Sequence, residues 1–132
     1  MLVTYIIDDD NLYQFGMKRM LHHIAVETEI KQFQNGLEAI EFLIRNKDKK
    51  NELPDIIFLD INMPVMNGWQ FLDNFIGLHL PVSKQITIYM ITSSVDNTEI
   101  LKAASYKVIK NYIIKPISLD NMKEIFNNVK SR

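Results

Sequence analysis

Ile56-Ile57-Phe58-Leu59-Asp60-Ile61-Asn62-Met63-Pro64-Val65-Met66-Asn67-Gly68 decides the reading of this chain. Four consecutive apolar residues end on a carboxylate, and turn chemistry follows at once. A continuous apolar run suits a central strand buried on both faces, as parallel sheets require. Met63-Pro64 and Asn67-Gly68 are turn signals. Trp69, Leu72, Phe75 and Ile76 then recur at helical spacing.

The same strand, turn and helix order recurs on either side. Val3 to Ile7 is a β-rich run stopped by Asp8-Asp9-Asp10, and Leu12, Phe15, Gly16, Met20 and Ile24 mark one helix face. Val26 to Phe33 alternates apolar and polar as a half-buried strand does. Asn35-Gly36 punctuates it, and Leu37, Ile40, Leu43 and Ile44 form the next stripe. Asn46 to Glu52 reads as a loop closed by Pro54. Downstream, Ile86 to Ile91 predicts a strand ending at Thr92-Ser93-Ser94. Asp96 with Glu99 predicts a capping box for a helix to about Ala104. Tyr112-Ile113-Ile114 reads as the fifth strand, ended by Lys115-Pro116. Ser118 caps a last helix carrying Leu119, Met122, Ile125, Phe126 and Val129.

Five strands alternating with five helices predict an α/β fold, a parallel sheet with helices on both faces. In the five-stranded order 2-1-3-4-5, ligands bind at the carboxyl ends of the strands where the order reverses, between strands 1 and 3. Those two strands carry the acids. The 132 residues suit one domain, residues 1–132, with no output domain expected. With 15 basic and 16 acidic residues there is no field to hold nucleic acid or an anionic membrane. The absence of Cys excludes a disulfide framework and a thiolate metal site. No apolar run approaches the roughly 20 residues of a membrane helix, and no export signal is visible, so a cytoplasmic protein is expected.

Asp8, Asp9 and Asp60 are expected in one crevice. Two carboxylates about 4 Å apart repel by roughly 4 kcal/mol at an effective dielectric near 20. A hard divalent ion with oxygen ligands relieves that repulsion, and a site with few protein ligands and room for water favours Mg²⁺. A carboxylate nucleophile, a bound cation and Lys115 together form a phosphoryl-transfer arrangement, with Thr92 able to hydrogen-bond a phosphoryl oxygen.

Ile6-Ile7-Asp8-Asp9-Asp10, the block from Leu59 to Gly68, Ile91-Thr92-Ser93 and Tyr112-Ile113-Ile114-Lys115-Pro116 resemble the four signature blocks of response-regulator receiver domains, the phosphorylation switches of two-component signalling. The order and spacing match over essentially the whole chain. The resemblance implies that Asp60 takes a phosphoryl group from a phosphohistidine on a sensor histidine kinase or a histidine phosphotransfer protein. It implies that Asp9 and Asp60 bind Mg²⁺ directly, Asp8 through water, and Asn62 through its backbone carbonyl. Lys115, joined to Pro116 by a cis peptide bond, contacts the phosphoryl group. Thr92 moves toward the phosphate and Tyr112 swings inward with it, altering a surface read by an unidentified downstream protein, or the phosphate is relayed onward. Intrinsic autophosphorylation and autodephosphorylation are the only catalysis expected.

Two positions depart from the family pattern: Val108-Ile109 replaces a small Gly-Ala pair, and Ser93 stands where Ala is common. A haloacid-dehalogenase-type phosphatase also forms an aspartyl-phosphate, but it needs a second acid two residues after the nucleophile, where Asn62 stands. A receiver that serves only as an interaction module is the other alternative. Asp10 is expected to cap the first helix, and His22-His23 to sit favourably at its C-terminal end. Trp69 and the Met side chains are expected to pack, and Lys47 to Lys50 to be solvated.

Overall fold

The computed structural model describes residues 1–81, 84–93 and 96–131. In chain order the elements are β1 (Leu2–Ile7), α1 (Asn11–His23), β2 (Thr28–Phe33), α2 (Gly36–Asn46), a 3-10 turn at Lys50–Glu52, β3 (Ile56–Asp60), α3 (Gly68–Gly77), β4 (Thr87–Thr92), α4 (Asn97–Ala104), β5 (Ile109–Ile114) and α5 (Leu119–Lys130). The strands form one parallel sheet ordered β2-β1-β3-β4-β5, the expected topology. Ser94, expected in the loop after β4, lies outside the described residues.

Alternation along the central strands divides the core in two. Tyr5, Ile7, Ile57, Leu59, Ile88 and Met90 pack with α2 and α3. Ile6, Ile56, Phe58, Tyr89 and Ile91 point the other way and pack with α1 and α5. Every residue of β3 is buried, which accounts for its unbroken apolar run. Each fully buried Leu, Ile or Phe side chain contributes about 1.5–3 kcal/mol, so the two layers hold β1, β3 and β4 rigidly.

Side chains start the helices as the sequence indicates. Asp10 accepts from the Leu12 and Tyr13 N–H groups at 3.0 and 3.1 Å, and Ser118 from Asn121 at 3.0 Å. Asn67 and Gln70 form a reciprocal capping box on α3 where the sequence showed only a turn. At α4 the Asp96 carboxylate accepts from Thr98, one residue earlier than a box with Glu99 requires. β5 begins three residues before the expected Tyr112, because Ile109 pairs with Ile88 and a bulge at this point carries the chain past Lys110. The polar letters Lys110 and Asn111 lie exposed on this edge strand, which hid it from a search for apolar runs.

The expected face of α1 is wrong by about one residue in each turn. Gln14, Met17 and Leu21 point inward, while Leu12 and Phe15 are 80% and 56% exposed. The reason is local: Gln14 satisfies backbone carbonyls at the end of β1, and that contact sets the rotation of the helix. Smaller corrections apply to Leu37, Ile44 and Ile76, which sit at the exposed margins of α2 and α3 while Ala39 and Phe71 take the buried places.

This rotation predicts that Met17→Ala lowers the unfolding free energy by about 2–4 kcal/mol, whereas Leu12→Ala changes it by less than about 0.5 kcal/mol. Urea denaturation of both variants checks it; equal losses would refute the assigned face.

Candidate functional site

Strand register brings the acids together. Ile7 of β1 pairs with Leu59 of β3, so the next residues, Asp8 and Asp60, leave the sheet side by side at the point where strand order reverses. Asp60 pairs with Ile91, which puts Thr92 one step further along β4. The Lys115 N–H donates to the Thr92 carbonyl at 2.7 Å, tying the end of β5 to the same crevice. One oxygen from each of Asp8, Asp9 and Asp60 lies within 4.8 Å of the others. The Lys115 ammonium donates to Asp8 Oδ2 at 2.9 Å and stands 3.6 Å from Asp60 Oδ1. The Lys115-Pro116 peptide bond is cis, as expected.

Burial and like charge act together on Asp60. Removal from water, then the Asp8 carboxylate, raise its pKa from 3.8 to about 6; Lys115 and the Ile61 backbone oppose the shift, and Asp9 adds to it. Lys115 shows the reverse balance. Burial disfavours its charge, but Asp8 and Asp60 more than compensate and hold its pKa above the usual lysine value. The crevice therefore carries more negative charge than its one ammonium neutralises.

Several residues fix this geometry. The buried Gln14 amide donates to the Asp8 carbonyl at 2.8 Å, the Phe33 carbonyl at 2.9 Å and the Ile6 carbonyl at 3.3 Å, clamping β1, β2 and the acidic loop. Sequence reading missed it; the available signal was a polar residue at the helical spacing 14, 17, 21. Asp8 Oδ1 accepts the Asp10 N–H at 2.9 Å, so both of its carboxylate oxygens have donors. A Cβ at Gly68 would stand 2.5 Å from the Asp60 carbonyl oxygen, so only glycine lets α3 start this close to the acceptor strand. Between them the loop carries Val65 at φ 67°, bracketed by a Met66 N–H to Pro64 carbonyl bond of 2.7 Å. This is a strained conformation for a β-branched residue. The Met66 carbonyl in turn accepts the Gly36 N–H at 3.0 Å, docking the loop on α2.

Asp8, Asp9, Asp60 and Lys115 are thus brought together as expected. Thr92 is buried at the end of β4. Asn62 lies exposed on the loop two residues after Asp60. Tyr112 is half-buried against the α2–α3 core, and its phenol reaches the Thr92 side chain. Val108 and Ile109 pack, partly buried, on that same core.

Residues 4–127 match the sequence profile of the response regulator receiver domain. The chain belongs to the response-regulator receiver family.

Other comparisons agree with that assignment. Over 126 residues the receiver domain is 32% identical to hybrid signal transduction histidine kinase G of Dictyostelium discoideum, covering 96% of this chain and 3% of that protein. A two-component response regulator from Cytophaga hutchinsonii superimposes with a TM-score of 0.87 at 27% identity, over 98% of this chain and 97% of that one. A CheX–CheY–BeF₃–Mg²⁺ complex from Borrelia burgdorferi gives a TM-score of 0.76 at 19% identity over 98% and 89%, a likeness of fold. Receiver domains of two-component response regulators are phosphorylation-controlled switches, and the haloacid-dehalogenase alternative falls with the family assignment. Among the described residues no helix is long and apolar enough to cross a membrane.

The receiver domain's acidic cluster also fits a divalent cation on its own chemistry. Its donors are all hard oxygens, three carboxylates converge, and Asp60 is disfavoured as an anion without a further positive charge.

Two outcomes are expected. Gln14→Ala leaves the Asp8 carbonyl without its donor and lowers stability by about 2–3 kcal/mol; chemical denaturation measures this, and a neutral variant would remove Gln14 from the clamp. In metal-free protein Asp60 titrates near pH 6. Because the folded pKa lies above the unfolded one, the folded state holds the extra proton between about pH 4 and 6, and stability falls as pH rises through that window. A carboxyl carbon NMR titration of Asp60, paired with melting curves, checks both sign and midpoint.

Proposed function

We propose that Asp60 is the phosphoacceptor of this receiver domain, in a Mg²⁺-dependent reaction with a phosphohistidine donor. Asp9 and Asp60 would hold the ion directly, Asp8 through water, and Asn62 through its backbone carbonyl. The supporting observation is the convergence of Lys115 Nζ on Asp8 and Asp60, at 2.9 and 3.6 Å, within a cluster of three carboxylates. When bound, Mg²⁺ neutralises carboxylate and phosphoryl charge, which allows an anionic nucleophile to approach an anionic donor. The Mg²⁺ named in the Borrelia complex supports the choice of ion.

In the transfer, an Asp60 carboxylate oxygen forms a bond to phosphorus as the phosphorus–nitrogen bond of the phosphohistidine breaks. The imidazole leaves with its electron pair. Lys115 offers its ammonium to the phosphoryl oxygens, and the Thr92 hydroxyl donates to another as charge develops on them. Hydrolysis of the acyl phosphate later restores the Asp60 carboxylate. Thr92 and Tyr112, already in contact across β4 and β5, carry the change to the outer surface. A sensor histidine kinase or a histidine phosphotransfer protein is the donor in this reading, which the matching stretch in a hybrid histidine kinase supports. Output passes to another protein, or the phosphate is relayed onward. The proposed setting is the cytoplasm.

Incubation with acetyl phosphate and Mg²⁺ should add the mass of one phosphoryl group, and Asp60→Ala should add none. Lys115→Ala should retain Mg²⁺ binding but lose the phosphate-dependent NMR shifts around Tyr112. Failure of the unmodified protein to gain mass would favour an interaction module that is never phosphorylated.

A further inference from the structure

The ammonium of Lys115 has a third neighbour. Its nitrogen lies 4.2 Å from the ring centroid of Tyr13, over the face of the ring. Tyr13 occupies the first turn of α1, where the Asp10 carboxylate accepts its N–H at 3.1 Å and fixes the backbone beside the crevice. The ring is half-buried against the α1–α5 core. Its hydroxyl is buried against the Ile117 backbone without a hydrogen bond of good geometry. The part of Tyr13 that meets the ammonium is therefore the ring face.

We propose that Tyr13 is a positioning residue for Lys115: its ring face holds the ammonium over the space between Asp8 and Asp60, where it can follow the phosphoryl group. This inference rests on Asp60 being the phosphoacceptor. Lysine is a point charge on a flexible stem, so its placement depends on its surroundings. In the resting site its nearer partner is Asp8 at 2.9 Å, with Asp60 at 3.6 Å. To serve a phosphoryl group on Asp60, the ammonium has to shift away from the shorter contact. A carboxylate would resist that shift, because a hydrogen bond is directional and uses one of the three N–H donors. An aromatic face attracts a cation over a range of about 6 Å and uses no donor. Tyr13 can therefore keep its hold while Lys115 changes partners.

Packing alone does not account for the contact. The Lys115 side chain is only 16% exposed, and an aliphatic side chain in place of Tyr13 would leave the ammonium's inner side against groups that cannot stabilise charge. The ring quadrupole can. The hydroxyl makes no hydrogen bond to Lys115, so the aromatic face can be tested apart from the phenol.

The test compares Tyr13→Phe, Tyr13→Leu and Tyr13→Met in the full chain, with acetyl phosphate and Mg²⁺ as probes and circular dichroism to verify folding. Tyr13→Phe should preserve the phosphorylation rate, while the Leu and Met variants should lose about three- to tenfold, the range of one partly desolvated cation–π contact. Mg²⁺ affinity should be the same in all, since Tyr13 offers the ion no ligand. In a Lys115→Ala background, Tyr13→Leu should cause no further loss. The Lys115 ε-methylene resonances should be shifted upfield by the ring in the unmodified and Phe proteins and not in the Leu or Met variants, a readout that requires no phosphorylation. Undiminished rates in the Leu and Met variants, weakened Mg²⁺ binding, or a full additional loss in the Lys115→Ala background would overturn the inference. If the unmodified protein accepts no phosphate while the ring shift is present, the phosphoacceptor reading fails and takes the positioning role with it.

Discussion

Repulsion between Asp8 and Asp60 is the constraint on which the rest of this structure depends. The register of β1 and β3 places the two carboxylates next to each other at the end of buried strands, where water cannot screen them well. A sheet of this kind does not separate them without breaking the ladder, so the charge has to be met by added groups. Lys115 supplies one cation from the far strand β5, and Asp10 supplies a backbone N–H to Asp8. The remaining deficit appears as the raised pKa of Asp60. A buried anion at this balance is a poor structural device. It is a useful chemical one, because the site is stabilised by whatever positive charge, proton or metal arrives.

Rigidity around the acids follows from that strain. Gln14 ties the carbonyls of Ile6 in β1, Phe33 in β2 and Asp8 in the acidic loop, Gly68 allows α3 to close on the Asp60 carbonyl, and the Val65 turn is fastened to the start of α2. These restraints come from α1, α2 and α3, which lie on both faces of the sheet, so the acidic loops cannot relax apart in either direction. The Val65 backbone, at φ 67°, is held by contacts of the same kind. Left-handed backbone at a β-branched residue costs of order 1–3 kcal/mol and persists only where the surroundings impose it. Here the imposing contacts are the Met66 carbonyl bond to Gly36 and the short turn to Pro64.

The parts of the fold visible in the sequence were those where one physical demand acted alone. β3 was legible because burial on both faces permits only apolar letters, and Asp60 stood out because a carboxylate ending such a run has no packing role. The convergence of Asp8, Asp9, Asp60 and Lys115 was legible because polar residues stop the apolar strands at one end of a parallel sheet, whereas the strand order came from the fold class. The inward face of α1 was not legible, since Gln14 is buried for its hydrogen bonds while Leu12 and Phe15 are exposed. Apolar periodicity measures burial through hydrophobicity and misses a side chain buried as a donor. The start of β5 was hidden for the opposite reason. As an edge strand it tolerates Lys110 and Asn111, so its pairing with β4 leaves little trace in composition. Tyr13 was unreadable as a partner of Lys115 because 102 residues of chain separate them, and only the assembled sheet brings both to one crevice.

Each Asp8 oxygen already accepts one donor in this arrangement, the Asp10 N–H on Oδ1 and Lys115 on Oδ2. Each oxygen keeps a further lone pair, so the two donors orient the carboxylate without closing it to a metal-bound water. The Asp10 N–H belongs to the capped start of α1 and is costly to move, because the same residue accepts from Leu12 and Tyr13. Lys115 is the donor free to leave, since its stem is flexible and Asp60 lies only 0.7 Å farther away than Asp8, 3.6 against 2.9 Å. The phosphoryl group proposed on Asp60 therefore draws the lysine from Asp8 toward Asp60. Exchange of that one contact leaves the capped start of α1 and both acidic strands in place.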